Sequence, residues 1–484
     1  LHRRLGDSLT NAGAVAEAGE AYLAGARHAA PDDALELRRL AAESFLESNR
    51  TARGLEVLRS VLDEVGLPYQ ESPRRALAMF LWHQAKLRVA SLRRRLEPAQ
   101  SVRKADLARI DAAFTASTGL ALSDPLRGAD YASRALLLAL ETREPVRLAR
   151  TLAVAAWNAA ARGEPARARA ESLVHAAERV AMEIGDPHTR ALALLAAGTV
   201  HYLLGEWLRA RTKLDGAEEI LRRSCRGVAW ELANAQSRAC NVLILSGALL
   251  EASRRAPPLM AEARHRDDHF AIMNLVYPAC VSRIVADDLE GALEIAKYGE
   301  AGDPDVLTLG RWAAFISACS VERYRGDGAA AWRRTLAESD PLERSMLWRS
   351  AMVRVFSLYE RGLSAISAAV SGYQKKRALE AADRWATALA REKLRYAPAL
   401  GLLLRAGTHA ARRDHDRALD ALDQAIPRLD AADLRYLAAC ARSRKAALIG
   451  GSAGRDLARE TSAFFSAQGI MCVERCLAMS APGF

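Results

Sequence analysis

Four short stretches of this 484-residue chain join residue types that could do chemistry. His265-Arg266-Asp267 has the letters of a protein-kinase catalytic loop, in which the Asp accepts a proton from the substrate hydroxyl. That loop needs an Asn five residues beyond its Asp to hold a metal ion, but position 272 is Ile, and no Asp-Phe-Gly follows. The triplet reads instead as a polar helix end. His265, Asp268 and His269 could share a metal ion, since positions four apart stand on one helical face. On so charged a turn they read as solvated side chains. Asp414-His415-Asp416 reads the same way. Cys472 and Cys476, also four apart, suggest a metal or redox pair, but no second ligand pair stands nearby, so packing is the better reading.

The sequence holds no Gly-x-x-x-x-Gly-Lys-Ser/Thr loop to cradle phosphates, no Gly-x-Ser-x-Gly nucleophile turn and no His-Glu-x-x-His zinc helix. No catalytic, cofactor-binding or metal-ligating residue is therefore expected. Half of the residues are hydrophobic, enough for a core, and no apolar run reaches the ~18 residues that span a bilayer. Seven scattered cysteines, an odd number in a large chain, point to reduced thiols and a cytoplasmic location. No secretory signal begins the chain. It opens on Leu1 rather than Met, so it is expected to be a piece of a longer protein.

The net charge of +11 is concentrated. Arg74, Arg75, Lys86, Arg88, Arg93, Arg94, Arg95, Arg103, Lys104 and Arg109 face only Glu97 and Asp106, which leaves +8 in this one stretch. Such a stretch is a solvated face, a docking surface for an acidic domain, or a site for nucleic acid or anionic lipid. No stacking aromatics interleave the arginines, which disfavours nucleic acid as a partner. Arg74, Arg75, Arg88, Arg93, Arg94 and Arg95 are the candidate docking residues. Phe80 and Trp82 are expected on an apolar stripe with the arginines on other faces.

The elements that must position all of this are helical hairpins. From Gly198 to Ala217, small residues stand at Gly198, Gly205, Ala210 and Ala217, and large apolar ones at Trp207 and Leu214. This is the spacing of one tetratricopeptide-type unit. Gly198 permits close helix approach, Gly205 closes the first helix, and Trp207 fills the wedge at the turn. Ala210, Leu214 and Ala217 share one face of the second helix. The offsets recur at Gly6, Gly13, Val15, Ala18 and Tyr22, and at Ala42, Asn49, Thr51, Gly54 and Leu58. Weaker echoes include Gly163-Glu-Pro165, Asp287-Asp-Leu289, Gly326-Asp-Gly328 and Arg413-Asp-His415. The fold class expected is all-α: a right-handed superhelix of degenerate hairpins, since such units bury their apolar faces only by stacking.

Punctuation by Pro and Gly divides the chain into N-terminal hairpins (1–66), the basic helical segment (67–125), a repeat array (126–300), an aromatic-rich array (301–449) and a C-terminal capping hairpin (450–484). Pro257-Pro258 is expected to break or bend a helix, Asp303-Pro304 to open one, and Gly450-Gly-Ser-Ala-Gly454 to form a flexible break. The aromatic residues of the fourth segment, Trp312 and Tyr359 among them, read as wedges between hairpins, with an exposed aromatic groove as the alternative.

The opening Leu1-His-Arg-Arg-Leu-Gly-Asp-Ser-Leu-Thr-Asn-Ala-Gly13 resembles the helical region that follows the ATPase module in large bacterial signalling proteins. These join a serine/threonine protein kinase to an AAA/STAND-type ATPase and a long tetratricopeptide-like tail. Ala41-Ala-Glu-Ser-Phe-Leu46, Gly54-Leu-Glu-Val-Leu-Arg59, Pro73-Arg-Arg-Ala-Leu-Ala78, Arg127-Gly-Ala-Asp130 and the ending Phe465–Phe484 carry the same resemblance. It implies a segment that senses an effector or partner and regulates the upstream kinase and ATPase, without catalysis of its own. The other readings are a basic module for nucleic acid or membrane surfaces, and a small-ligand sensor of a transcriptional regulator.

Overall fold

The computed structural model describes residues 1–48, 50–89, 102–120, 124–299 and 307–484. Among them stand twenty-four α-helices and no strand. The N-terminal hairpins are α1 (His2–Ala12) with α2 (Val15–Ala26), and α3 (Pro31–Glu47) with α4 (Thr51–Glu64). α5 (Pro73–Val89) lies on α7 (Pro125–Thr142), which pairs with α6 (Lys104–Gly119). Then come α8 (Pro145–Ala160) and α9 (Arg167–Ile184), α10 (Pro187–Leu204) and α11 (Trp207–Ser224), α12 (Ala229–Leu245) and α13 (Leu249–His265), and α14 (His269–Val285) and α15 (Leu289–Tyr298). The array continues through α16 (Leu309–Tyr324) and α17 (Gly328–Arg344), α18 (Ala351–Val370) and α19 (Lys375–Arg391), and α20 (Ala397–Ala411) and α21 (His415–Ala431). It ends with α22 (Arg435–Ile449), α23 (Gly451–Ala467) and α24 (Val473–Ser480).

One turn grammar is written repeatedly into the sequence. A residue with positive φ ends a helix: Gly13, Gly185 and Gly205, or a non-glycine such as Asp267, Asp287 and Arg413. An acid or hydroxyl then caps the next helix through its first free backbone N–H groups. Asp186 accepts from Thr189, Asp268 from Ala271, Asp288 from Gly291, Asp327 from Ala330 and Asp414 from Arg417. Pro31, Pro125, Pro145 and Pro187 occupy first-turn positions, where no N–H is needed.

Two punctuation expectations are overturned. α13 runs on through Pro257 and Pro258. The carbonyls they leave without a helical donor belong to Ser253 and Arg254, and Arg254 is exposed to water. Gly450-Gly-Ser-Ala-Gly454 is no flexible break. Gly450 and Gly451 make a tight turn with φ of 58° and 60°, and α23 starts at once. Gly454 sits so close to α22 that a Cβ there would lie 2.6 Å from the Ala446 carbonyl oxygen. Asn49, Arg93, Arg94, Arg95 and Asp303-Pro304 lie outside the described residues.

Packing of α3, α6, α8, α10, α12, α14, α16, α18 and α20, each against the next in that series, forms an inner row. The row curls until distant turns touch. Ala351 N donates to Ala161 O at 2.8 Å. The Tyr396 ring lies against Gly205, 5.3 Å from the Trp207 ring. Tyr436 N approaches Gly247, and Met471 N donates to Val285 O at 3.1 Å. Arg475 pairs with Asp287 at 2.9 Å, 188 residues away, and the other contacts span nearly the same distance in sequence. These contacts form a seam between successive turns of the solenoid.

The two glycines of the hairpin around Trp207 differ in surroundings. A Cβ on Gly198 would lie 2.7 Å from Leu214 Cγ, whereas one on Gly216 would meet only Leu194 at an ordinary 3.7 Å. Gly198→Leu is expected to lower stability by roughly 1–3 kcal/mol through overpacking. Gly216→Ala should raise it by about 0.5–1 kcal/mol, because alanine is the better helix former. Urea unfolding of the two variants checks this, and equal effects would refute the close-contact assignment.

Candidate functional site

Closure of the seam forms a lumen on the concave side, with a cavity of about 200 Å³. Its walls come from both sides of the seam: α10, α12 and α14 from one turn, α18, α22 and α24 from the next, with α16 between them. Most lining side chains are apolar, including Ile244, Met273, Ile316, Met352, Leu363 and Leu437. Aromatic rings from five helices also point in: Tyr202, Tyr277, Trp312, Phe356, Tyr359 and Tyr436. Trp312 donates its indole N–H to Ser357 Oγ at 2.9 Å, which fixes its plane. Phe356 stacks on Tyr396 at 5.6 Å, and Tyr396 meets Trp207 at a tilt, so the wall is continuous with the seam.

The floor is charged. Arg323 is 3% exposed and bonds Glu360, itself 5% exposed. Burial opposes the Arg323 charge, and the Glu360 carboxylate more than restores it. Arg323 also donates from Nη1 to Ser364 Oγ at 3.1 Å and from Nε to the Met479 carbonyl at 3.0 Å. That last bond belongs to a second feature, the chain's own end. The residues from Met479 onward cross the concave face. Tyr359 donates to Ser480 O at 3.3 Å, Tyr436 lies 2.9 Å from Ser480 Oγ, and Arg444 donates to Ala481 O at 3.0 Å. Pro482 and Gly483 lie against Gly407, which leaves no room for a side chain there.

Three polar groups of the lining have no hydrogen-bond partner among the described residues yet keep accessible surface: the Tyr202 and Tyr277 hydroxyls and the Asn241 amide. Towards the N-terminus the inner row turns polar. Arg39 joins Glu36 at 2.8 Å, Glu43 at 2.6 Å and Thr115 at 2.6 Å. Asp111 holds Arg147 and Arg150, and His188 meets Glu231 at 3.0 Å. Trp157, Trp230 and Phe270 stack in series where the polar and apolar parts meet.

The residues picked from the repeat pattern are found at packing positions. Trp207, Ala210, Leu214 and Ala217 are fully buried. Gly205 has φ 80°, and Gly13 has φ 84° with the Arg266 side chain against it. Gly6 is covered by the Tyr22 ring. On α5, Arg74, Arg75 and Arg88 are exposed. The apolar stripe expected for that helix is corrected in part: Phe80 is half-buried, but Trp82 is not on the stripe. Trp82 is 56% exposed, with Lys86 Nζ 5.2 Å from its ring. α5 docks instead through Ala76, Leu87 and two bonds to α7, His83–Asp130 at 2.7 Å and Gln84–Ser133 at 2.9 Å. Positions 76, 83, 84 and 87 share one face at helical spacing, and 82 lies off it.

The possible metal and redox sets do not sit as their spacing suggested. His265 ends α13 and His269 begins α14, with Asp267 at φ 51° between, so they share no helical face. The Asp268 carboxylate is engaged as a cap. Cys472 stands just ahead of α24 and makes no capping bond, while Cys476 is buried on the lumen side, its thiol pushed up to about 12 by burial and thus unreactive. Sequence reasoning passed over Tyr202, Asn241, Tyr277, Arg323 and Glu360. The available signal was Glu360-Arg361, two charges inside the apolar run of α18. No family model matches the chain, and no curated protein matches it significantly.

Glu360→Gln leaves Arg323 buried without a counter-charge and is expected to cost about 3–5 kcal/mol, read by urea unfolding. A loss below ~1 kcal/mol would mean that water already screens the pair. His188 behaves in the opposite sense to an acid. The Glu231 hydrogen bond raises its proton affinity above the ordinary value of 6.5, against burial. Its contribution to stability is therefore complete below 6.5 and declines as pH rises through the higher folded value. Wild type and His188→Asn should differ more in unfolding free energy at about pH 5.5 than at about pH 8.5. A pH-independent difference would refute the linkage.

Proposed function

We propose that this chain is the effector-sensing, regulatory helical-repeat region of a larger signalling protein, and that a small molecule is sensed in its lumen. By the resemblance of its opening, its ending and the stretches between, the parent is a bacterial serine/threonine protein kinase joined to an AAA/STAND-type ATPase, acting in the cytoplasm. Catalysis then belongs to the upstream modules and none to this segment.

The observation that carries this reading is the aromatic-walled cavity with hydroxyl and amide groups that have no partner among the described residues. An open solenoid offers its concave face to another protein. Here the chain's own end and the neighbouring solenoid turn occupy that face. What remains exceeds the ~150 Å³ that accommodates benzene, which suits a small molecule. Because the walls belong to both sides of the seam, an occupant that touches both favours the closed state by its differential affinity. That supplies a route from ligand to the regulated modules.

Protein partners, the upstream ATPase among them, meet the outer surface on this reading. α5 presents Arg74, Arg75 and Arg88 there, with Leu81 and Trp82 exposed among them. A nucleic-acid or membrane-surface role would use that same face. A small-ligand sensor of a transcriptional regulator would use the lumen with different upstream modules. The coding sequence ahead of Leu1 decides between parents through its kinase and nucleotide-binding motifs.

The lumen itself is tested by thermal melting against a panel of one- and two-ring compounds. A binder at about 100 times its Kd should add about 2.7 kcal/mol of stability. Ala313→Phe, which projects a ring into the cavity, should abolish the shift. Failure of every compound to shift wild type, or equal shifts in the filled variant, would overturn the reading.

A further inference from the structure

Among the described residues that line the cavity, only Arg323 and Glu360 carry a formal charge. They bond each other, so the lining is neutral as a whole. Its other ionisable groups keep their protons. Burial pushes the Tyr202 hydroxyl up to about 12, raises those of Tyr277, Tyr359 and Tyr436, and holds the Cys476 thiol protonated.

The two partners of the charged pair are not equally satisfied. Every nitrogen of Arg323 is engaged: Nε by the Met479 carbonyl, Nη1 by Glu360 and Ser364, and Nη2 by Ser320 Oγ at 3.4 Å. Glu360 gives only Oε1 to Arg323. Its Oε2 has no partner among the described residues, yet keeps accessible surface on a side chain that is otherwise buried. That surface faces the cavity that Glu360 lines. A carboxylate oxygen can only accept, and a buried acceptor left unmet is costly. Burial raises the Glu360 carboxyl above its ordinary value, against the pull of Arg323, as fits an oxygen short of donors. The Glu360 charge also bears on Tyr277, whose hydroxyl has no partner among the described residues. Asn274, one turn before Tyr277, spends its N–H on the Phe270 carbonyl at 2.8 Å, which leaves its oxygen as a further acceptor.

Building on the lumen as the sensing site, we infer that its ligand is an uncharged, largely apolar molecule with a hydroxyl or N–H group, a phenol or an alcohol for example, and that this group donates to Glu360 Oε2. An anion would meet a carboxylate and no free cation. A cation would leave one net charge buried, since Arg323 already offsets Glu360. A neutral donor satisfies Oε2 and changes no charge. The ligand oxygen accepts in turn from the Tyr277 hydroxyl, and the apolar body packs on Met273, Trp312, Met352 and Phe356. Glu360 belongs to α18 and Tyr277 to α14, on opposite sides of the seam. One ligand hydroxyl thus ties two solenoid turns together, which is the differential contact that sensing needs.

The test is calorimetric titration of the full chain at neutral pH with 2-naphthol, 2-methoxynaphthalene and 2-naphthoate. Wild type should bind naphthol at least about tenfold more tightly than either of the others. The double variant Arg323→Met, Glu360→Met replaces the pair by apolar side chains, which buried sites tolerate. It should erase the preference for naphthol over methoxynaphthalene, while methoxynaphthalene affinity stays within about threefold of wild type. If that variant fails to fold or loses both compounds, Glu360→Asp carries the test. It keeps the counter-charge and withdraws the oxygen by one methylene, so the preference should shrink at least about threefold. An undiminished preference in the variant would overturn the role of Glu360. Equal affinities of naphthol and methoxynaphthalene in wild type would overturn the donor assignment. Naphthoate binding as tightly as naphthol would overturn the neutral one. All three outcomes leave the lumen reading standing, as does binding of another ring compound when none of these three binds, although the donor assignment then falls too. Absence of binding by the three, together with a null result for the ring-compound panel, would remove both.

Discussion

Tyr396 pressed on Gly205 and Trp207 is the contact on which the rest of the structure depends. Gly205 takes a positive φ that closes α10, and the lack of a side chain there lets an aromatic ring from the next solenoid turn lie on the backbone. Trp207 supplies the other half of the seat and is fully buried. The Phe356 ring then stacks on Tyr396 from the lumen side. One hairpin turn thus serves its own hairpin, the seam and the cavity wall together. The same arrangement recurs where Gly163 meets Ala351 and Gly247 meets Tyr436. Small turn residues therefore do more here than end helices, because they set how closely the solenoid winds.

Close winding moves side chains of the inner row out of water, and the chain answers the resulting electrostatic problem differently along its length. In the N-terminal half, charges neutralise one another between neighbouring inner helices: Arg39 with Glu36 and Glu43, Asp111 with Arg147 and Arg150, His188 with Glu231. Buried pairs of this kind add little net stability, but they penalise any register that separates them. In the C-terminal half the lining is apolar, with Arg323 and Glu360 as its one neutralised pair among the named wall residues. The tail from Met479 onward is tied to that pair and to Tyr359, so the end of the chain helps to close the space that the seam creates.

The hairpin grammar was legible because it is local. A positive-φ residue, an Asp cap and small residues at fixed offsets act within a few positions, and each works in isolation for reasons of backbone sterics and unsatisfied N–H groups. Where local spacing misled, a longer-range contact had overruled it. Trp82 faces outward because His83 and Gln84 found partners on α7. The prolines of α13 left their helix unbroken, and Arg254, one of the two residues whose carbonyls they orphan, is exposed to water. His265 and His269, four apart, were split by a left-handed residue at Asp267.

The sequence by itself determined that this chain is an all-α array of degenerate hairpins and where most of its turns fall. It did not determine which aromatics meet across the seam, since that pairing joins positions such as 205 and 396 through the accumulated rotation of many hairpins. No periodicity encodes that sum. Only the tertiary structure decided that the concave face closes into a lumen, that the chain's own end lies across it, and that the Tyr202 and Tyr277 hydroxyls line it without a partner among the described residues. Those properties depend on what is absent from a side chain's surroundings, and absence becomes defined only when every neighbour has been placed.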